Sequence, residues 1–138
     1  MKVFVDANVV VAVLNKEYPL FSSAARILSL HKKRNIRIYT SPLCLAIAFY
    51  FSSKKSGDAL SKRKIEILCR NINITTINEK LSLQAIQNIK VHDFEDGLEY
   101  YSALHESCNY IVTENGEDFY FSEIPIVNCE QFIFEILK

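Results

Sequence analysis

The stretch KVFVDANVV (residues 2–10) decides how this chain is read. Residues 2–6 look like a strand. Its side chains are bulky and apolar on both alternating faces, as in strands covered on two sides. The run ends in Asp6, with Asn8 two residues later. A carboxylate at the end of a buried strand costs free energy unless a charge or a hydrogen-bond donor meets it. Strands buried on both faces belong mostly to parallel sheets. In open parallel sheets, ligands gather beyond the carboxyl ends of the strands, where the strand order switches. Asp6 is expected at such an end, with Asn8 as the cap of the helix that follows.

Working outward, strands and helices alternate. Residues 8–15 are expected as a short helix. Residues from about 20 to 33 are expected as a longer one, with Phe21, Ala24, Ala25 and Leu28 on one stripe. IRIYT (36–40) reads as a second strand. Ser41 and Pro42 form an N-cap with proline at the first helical position, opening an apolar helix to about residue 53. Further helices are expected over about 58–70, from Asn78 as cap to about 89, from about 94, and from 129. Strands are expected at 72–77, 110–113 and 124–127. This pattern predicts an α/β domain around a parallel sheet of about five strands. Neither linker, repeat nor low-complexity segment interrupts it, so residues 1–138 are expected as a single domain.

Composition narrows the function classes. Hydrophobic residues make up 49% and charged residues 23%, as in soluble globular proteins. The most apolar run, TSPLCLAIAFYF, is about twelve residues and too short to span a bilayer. No secretory signal pattern opens the chain. Cys44, Cys69, Cys108 and Cys129 lie far apart without a CxxC pair, which fits reduced thiols rather than a zinc site or a disulfide framework. A cytoplasmic location without membrane attachment is therefore expected.

The net charge of zero hides a division. Residues 1–70 carry 13 Lys/Arg against 4 Asp/Glu, a net of +9; residues 71–138 carry 3 against 12, a net of −9. The basic residues cluster in HKKRNIR (31–37), KK (54–55) and KRK (62–64), and the acids in DFEDGLE (93–99) and TENGEDF (113–119). A basic surface beside an acidic pocket suits a metal-dependent enzyme acting on a polyanion. Lys62, Arg63 and Lys64 are the candidate contacts to its backbone.

Three acids share one expected sheet edge. Asp6 ends the first strand, Asp96 lies in the first turn of the helix leading into the fourth strand, and Asp118 follows that strand. Carboxylates brought that close repel one another unless a cation neutralises them. Oxygen donors in an incomplete shell suit Mg²⁺ or Mn²⁺, which keep waters and bind substrate phosphates. Asp93 and Asp96 also have a structural reading, as a D-x-x-D variant of the helix capping box.

These stretches carry a family resemblance. FVDANVV, DFEDGLEYYSALHESCNYIVTENGEDF (93–119) and IPIVNCEQFI (124–133) resemble the PIN domain, in the bacterial branch related to the toxin nucleases of VapBC-type toxin–antitoxin modules. The resemblance implies a three-layer α/β/α fold and Mg²⁺- or Mn²⁺-dependent endoribonuclease activity. It further implies a toxin of a toxin–antitoxin pair, with RNA as substrate, a small antitoxin protein as partner, and a homodimer. Its catalytic and metal-binding acids match Asp6, Asp96 and Asp118. Thr113 and Asn115 fill the polar positions ahead of Asp118, where they orient ligands or a water, and Asn8, Asp93 and Glu95 support the site. One position departs: the acid usual on the helix after the second strand is Ile47 here, and no Asp or Glu occurs between Glu17 and Asp58. That departure keeps an alternative open, a catalytically weak or inactive PIN-like module binding RNA or protein. A second alternative is weaker. Asp6–Val9 superficially matches the D-x-D-x-[TV] of haloacid-dehalogenase phosphatases, but Asn8 stands where their second acid is needed.

Overall fold

β1 (Lys2–Val5) stops where Asp6 turns the chain into a helix, and its last three residues are fully buried. The computed structural model describes residues 1–33 and 35–137. Arg34, in the basic run 31–37, and Lys138, the end of the expected domain, lie outside the described residues. After β1 come α1 (Ala7–Leu14), α2 (Leu20–Leu28), β2 (Arg37–Thr40), α3 (Pro42–Ser56) and α4 (Asp58–Asn71). The chain continues through β3 (Asn73–Ile74), α5 (Glu79–Gln87), α6 (Phe94–His105) and β4 (Tyr110–Val112). A 3₁₀ turn (Gly116–Phe119), β5 (Ile126–Val127) and α7 (Cys129–Gln131) follow, and α7 continues as a π-helical segment (Phe132–Ile136).

All four strand pairings are parallel, in the order β3-β2-β1-β4-β5. The chain thus builds outward from β1 to β3, then returns to lay β4 on the other side of β1. The strand order switches between β1 and β4, which makes their carboxyl ends the favoured place for a ligand. Alternation along the strands divides the core in two. Val3, Val5, Ile38 and Val112 face a cluster closed by Val9, Val10, Ile27 and Phe132 from the helices. Phe4, Tyr39 and Ile111 face the other way, onto Tyr100, Ala103 and Phe119. The result is the expected three-layer α/β/α arrangement.

Helix starts follow their local chemistry. Ser41 caps α3, its Oγ accepting from the Cys44 N–H at 3.0 Å, with Pro42 in the first turn. Asn78 caps α5 through the Leu81 N–H at 3.0 Å. α1 differs from expectation. It begins at Ala7 and its cap is Asp6, whereas Asn8 lies inside the helix. The outer strands are shorter than the sequence predicts. β3 and β5 each have one neighbour only, and Pro125, just before β5, has no N–H to donate. α2 ends at Leu28, short of residue 33, and Lys32 and Asn35 then take left-handed backbone angles.

One glycine matters for the site. A Cβ at Gly97 would lie 2.8 Å from Val91 Cγ1 and 3.1 Å from Ala85 Cβ, so its absence lets α6 lie against α5. Gly97 follows Asp96 directly, and this packing fixes where the first turn of α6 points. Cys44, Cys108 and Cys129 are buried free thiols, while Cys69 is free and exposed. Among the described residues, no helix is long and apolar enough to cross a membrane.

Candidate metal centre

Asp6 is nearly buried, at 7% exposure, and both of its carboxylate oxygens are held. Oδ1 accepts from the Ala7 N–H at 2.6 Å, as helix caps do, and Oδ2 accepts from the Thr113 hydroxyl at 2.7 Å. Asn8 Nδ2 donates to Thr113 Oγ1 at 3.1 Å and reaches Asp6 Oδ2 at 3.4 Å. The Asn115 N–H donates to Thr113 Oγ1 at 3.1 Å. Thr113 is 1% exposed and ties the end of β4 to the end of β1. Asp6 is therefore both the cap of α1 and a carboxylate locked at the strand-order switch.

Asp96 comes from the first turn of α6. That helix is capped by Asp93, whose Oδ1 accepts from the Glu95 N–H at 2.9 Å. Asp118 comes from the 3₁₀ turn after β4. The carboxylates of Asp6, Asp96 and Asp118 line one cavity of about 430 Å³, into which Asp93, Glu95 and Asn115 also face. The three expected acids are thus brought to one place from three segments. Their crowding has an electrostatic signature. Burial pushes the Asp96 carboxyl up from 3.8 to about 7, helped by the charges of Asp93, Asp118, Asp6 and Glu95. The Asp118 carboxyl is raised as well, by desolvation first and then by Glu117, Asp6 and Asp93. Among the described residues, the cavity lining holds seven acids and no lysine, arginine or histidine. Such a donor set fits a divalent cation that prefers oxygen, and no basic side chain is there to take its place.

Sequence reasoning passed over two acids of this lining, the exposed Glu17 and the buried Glu99. Glu99, one turn beyond Asp96 on α6, is 3% exposed and lines the same cavity. Its Oε1 accepts from the Cys44 thiol at 2.9 Å. The i, i+3 spacing from Asp96 places both acids on one side of the helix, and that spacing was the available signal. Ile47, where the expected acid is missing, also lines the cavity, so α3 presents an apolar wall there.

The candidate RNA contacts stand apart from this cavity. Lys62 and Arg63 project from α4 and are exposed. Lys64 is half-buried, and its ammonium donates to the Leu14 carbonyl at 2.8 Å, at the carboxyl end of α1. Lys54 and Lys55 lie one turn beyond Phe51, which is itself part of the cavity wall.

A doubly covered parallel sheet with an acid-lined cavity at its switch point defines the class. The chain belongs to the PIN domain family, whose model matches residues 2–117. Solved structures agree on the fold. VapBC2 from Rickettsia felis, bound to a DNA fragment from its promoter, is 20% identical with a TM-score of 0.68, covering 93% of this chain and 98% of that one. VapBC-1 from nontypeable Haemophilus influenzae is 19% identical with a TM-score of 0.72, covering 94% and 99%. VapC20 from Mycobacterium tuberculosis, a toxin cleaving the sarcin–ricin loop, is 16% identical with a TM-score of 0.63, covering 79% and 86%. No curated protein gives a significant match.

Proposed function

We propose that this protein is a divalent-metal-dependent endoribonuclease and the toxin of a toxin–antitoxin pair. The observation that carries the reading is the meeting of Asp6, Asp96 and Asp118, from three separate segments, in one cavity that no basic side chain lines among the described residues. Membership of the PIN family and the likeness to VapBC and VapC structures support it. The VapBC likeness supports an antitoxin protein as the expected partner, and a second copy of the chain is the further partner that the family resemblance implies.

Asp6, Asp96 and Asp118 would hold Mg²⁺ or Mn²⁺. Such an ion supplies charge neutralisation at a phosphodiester and a bound water of lowered pKa. The chain's own part is positional. Thr113 and the Ala7 N–H fix the rotamer of Asp6, so one ligand arrives pre-oriented. Asp93 caps α6 and sets its first turn, from which Asp96 projects. Asn8 braces Thr113, and Asn115 faces the cavity beside Asp118. The exposed Lys54, Lys62 and Arg63 would draw in and align the RNA backbone by charge.

Single-stranded RNA incubated with purified protein and Mn²⁺ tests the reading. Cleavage should require the metal and be lost in Asp6→Asn, since the variant removes one hard ligand. If folded protein shows no metal-dependent cleavage but retains RNA or protein binding, the chain is a binding module of the same fold. Asp6→Asn cutting as fast as wild type, with contaminating nuclease excluded, refutes the assignment.

A further inference from the structure

α3 is the side of the cavity without a carboxylate. It lines the cavity with Ile47 and Phe51, and one turn before Ile47 the fully buried Cys44 lies behind that wall. Glu99 crosses to that side from α6. Its Oε1 takes the Cys44 thiol hydrogen at 2.9 Å, and an oxygen of Asp6, an oxygen of Glu99 and the Cys44 sulfur all lie within 4.8 Å of one another. Donor atoms so spaced can face a single ion. A glutamate buried to 3% exposure is costly without a cationic partner, and among the described residues none lines this cavity. The neighbours of Glu99 do not supply one either. Cys44 donates only a weak thiol hydrogen, and Asp6 adds a like charge.

We infer that Glu99 is a fourth carboxylate ligand of the metal centre, supplied by α6 on the side where α3 presents Ile47. The inference rests on the metal-dependent reading above and adds a ligand to it. The Cys44 thiol acts as a positioning group. It holds Glu99 Oε1 against the α3 wall and leaves the other oxygen for the ion. Glu99 and Asp96, one turn apart on α6, would then serve the ion from the same helix, while Asp6 comes from the end of β1 and Asp118 from the 3₁₀ turn after β4.

Calorimetric titration with Mn²⁺ at about pH 8 tests this on wild type, Asp6→Asn and Glu99→Gln, each first shown to be folded by its metal-free melting curve. Losing an outer partner of a metal ligand lowers affinity roughly 10–100-fold, and loss of a direct ligand costs at least as much. Glu99→Gln should therefore bind Mn²⁺ at least about 10-fold more weakly than wild type. A second readout separates ligation from simple burial. Bound Tb³⁺, another oxygen-seeking ion, should gain a coordinated water in Glu99→Gln, seen as a larger difference between its luminescence decay rates in H₂O and D₂O than wild type shows. Wild-type Mn²⁺ affinity and unchanged Tb³⁺ hydration in folded Glu99→Gln overturn the inference alone, provided Asp6→Asn has lost affinity. A wild-type protein that binds no Mn²⁺ overturns the inference together with the functional reading beneath it.

Discussion

Replacing Asp96 by asparagine should make the metal-free protein more stable at neutral and alkaline pH. In the folded chain, burial and then the charges of Asp93, Asp118, Asp6 and Glu95 raise its carboxyl from 3.8 to about 7. In the unfolded chain the group returns to its ordinary value. Between the two values the unfolded state releases a proton that the folded state keeps. Unfolding is therefore increasingly favoured as pH rises, and the loss is complete above about pH 7. At 1.36 kcal/mol per pH unit, the rise from 3.8 to about 7 corresponds to about 4 kcal/mol. Asp96 is only partly buried, and solvent screening brings the figure to about 2 kcal/mol. Asparagine has nearly the same shape and does not ionise. The stability difference, variant minus wild type, should grow from small at about pH 4 to about 2 kcal/mol above pH 7, a melting-temperature gain of roughly 5 °C. Thermal or urea unfolding in EDTA from about pH 4.5 to 8.5 measures it. With Mn²⁺ at a hundred times its Kd, wild type gains about 2.7 kcal/mol, which is enough to reverse the order. A difference that stays flat with pH, or a less stable variant at pH 8, would show that Asp96 is not under electrostatic strain and would remove the physical case for a cation there.

Two further outcomes follow from the geometry. Thr113→Val preserves shape but strips Asp6 Oδ2 of its 2.7 Å donor, leaves the Asn115 N–H without its acceptor, and leaves Asn8 Nδ2 only its 3.4 Å contact with Asp6 Oδ2. Unfolding free energy should fall by about 1–3 kcal/mol and Mn²⁺ affinity should fall with it; urea melts and calorimetry read the two, and an unchanged Mn²⁺ affinity would mean that Thr113 does not orient Asp6. RNA affinity should weaken steeply with salt, and reversing the charge of the exposed Lys62 and Arg63 should flatten the log–log slope by about one unit per lost phosphate contact, whereas an unchanged slope would show a merely solvated face.

The fold was legible because its signals are local. The apolar runs at β1, β2 and β4, the Ser41-Pro42 start and the Asn78 cap each declare an element with little help from the rest of the chain. The short β3 and β5 were not, because how far an edge strand extends depends on its single neighbour. The cap of α1 was misread for a related reason. The spacing favours Asn8 as the cap, whereas Asp6 itself does the capping with Oδ1 on the Ala7 N–H while Oδ2 takes the Thr113 hydroxyl, a contact 107 residues away in sequence. Glu99 was missed because a buried glutamate reads from sequence as one more polar residue on a helix that carries several. What sets it apart is the meeting of α6 with α3 through the Cys44 thiol, a contact spanning 55 residues.

The same topology explains both why acids collect here and why the proposed function assigns them a cation. In a parallel α/β sandwich, every helix that follows a strand begins at the carboxyl edge of the sheet. α1 starts at Asp6 after β1, and the 3₁₀ turn at Asn115 beside Asp118 after β4; α6 follows α5 and starts at Asp93 beside Asp96, on the same edge because it runs on toward the amino end of β4. Their free N–H groups turn positive potential toward the cavity. That gives each acid a structural welcome, of about 0.3–1 kcal/mol for an α-helix and less for a single 3₁₀ turn. It is smaller than the opposing effect. Even after screening, burial and mutual repulsion cost Asp96 about 2 kcal/mol, and its carboxyl stands at about 7 rather than below 3.8. Helix dipoles therefore account for acids at these positions one at a time, but not for seven in one cavity. A divalent ion reverses the sign of the repulsion, since each carboxylate that crowds its neighbours then lies next to two positive charges. On the metal-dependent reading proposed above, a bound divalent ion would relieve the electrostatic strain that these carboxylates carry without it.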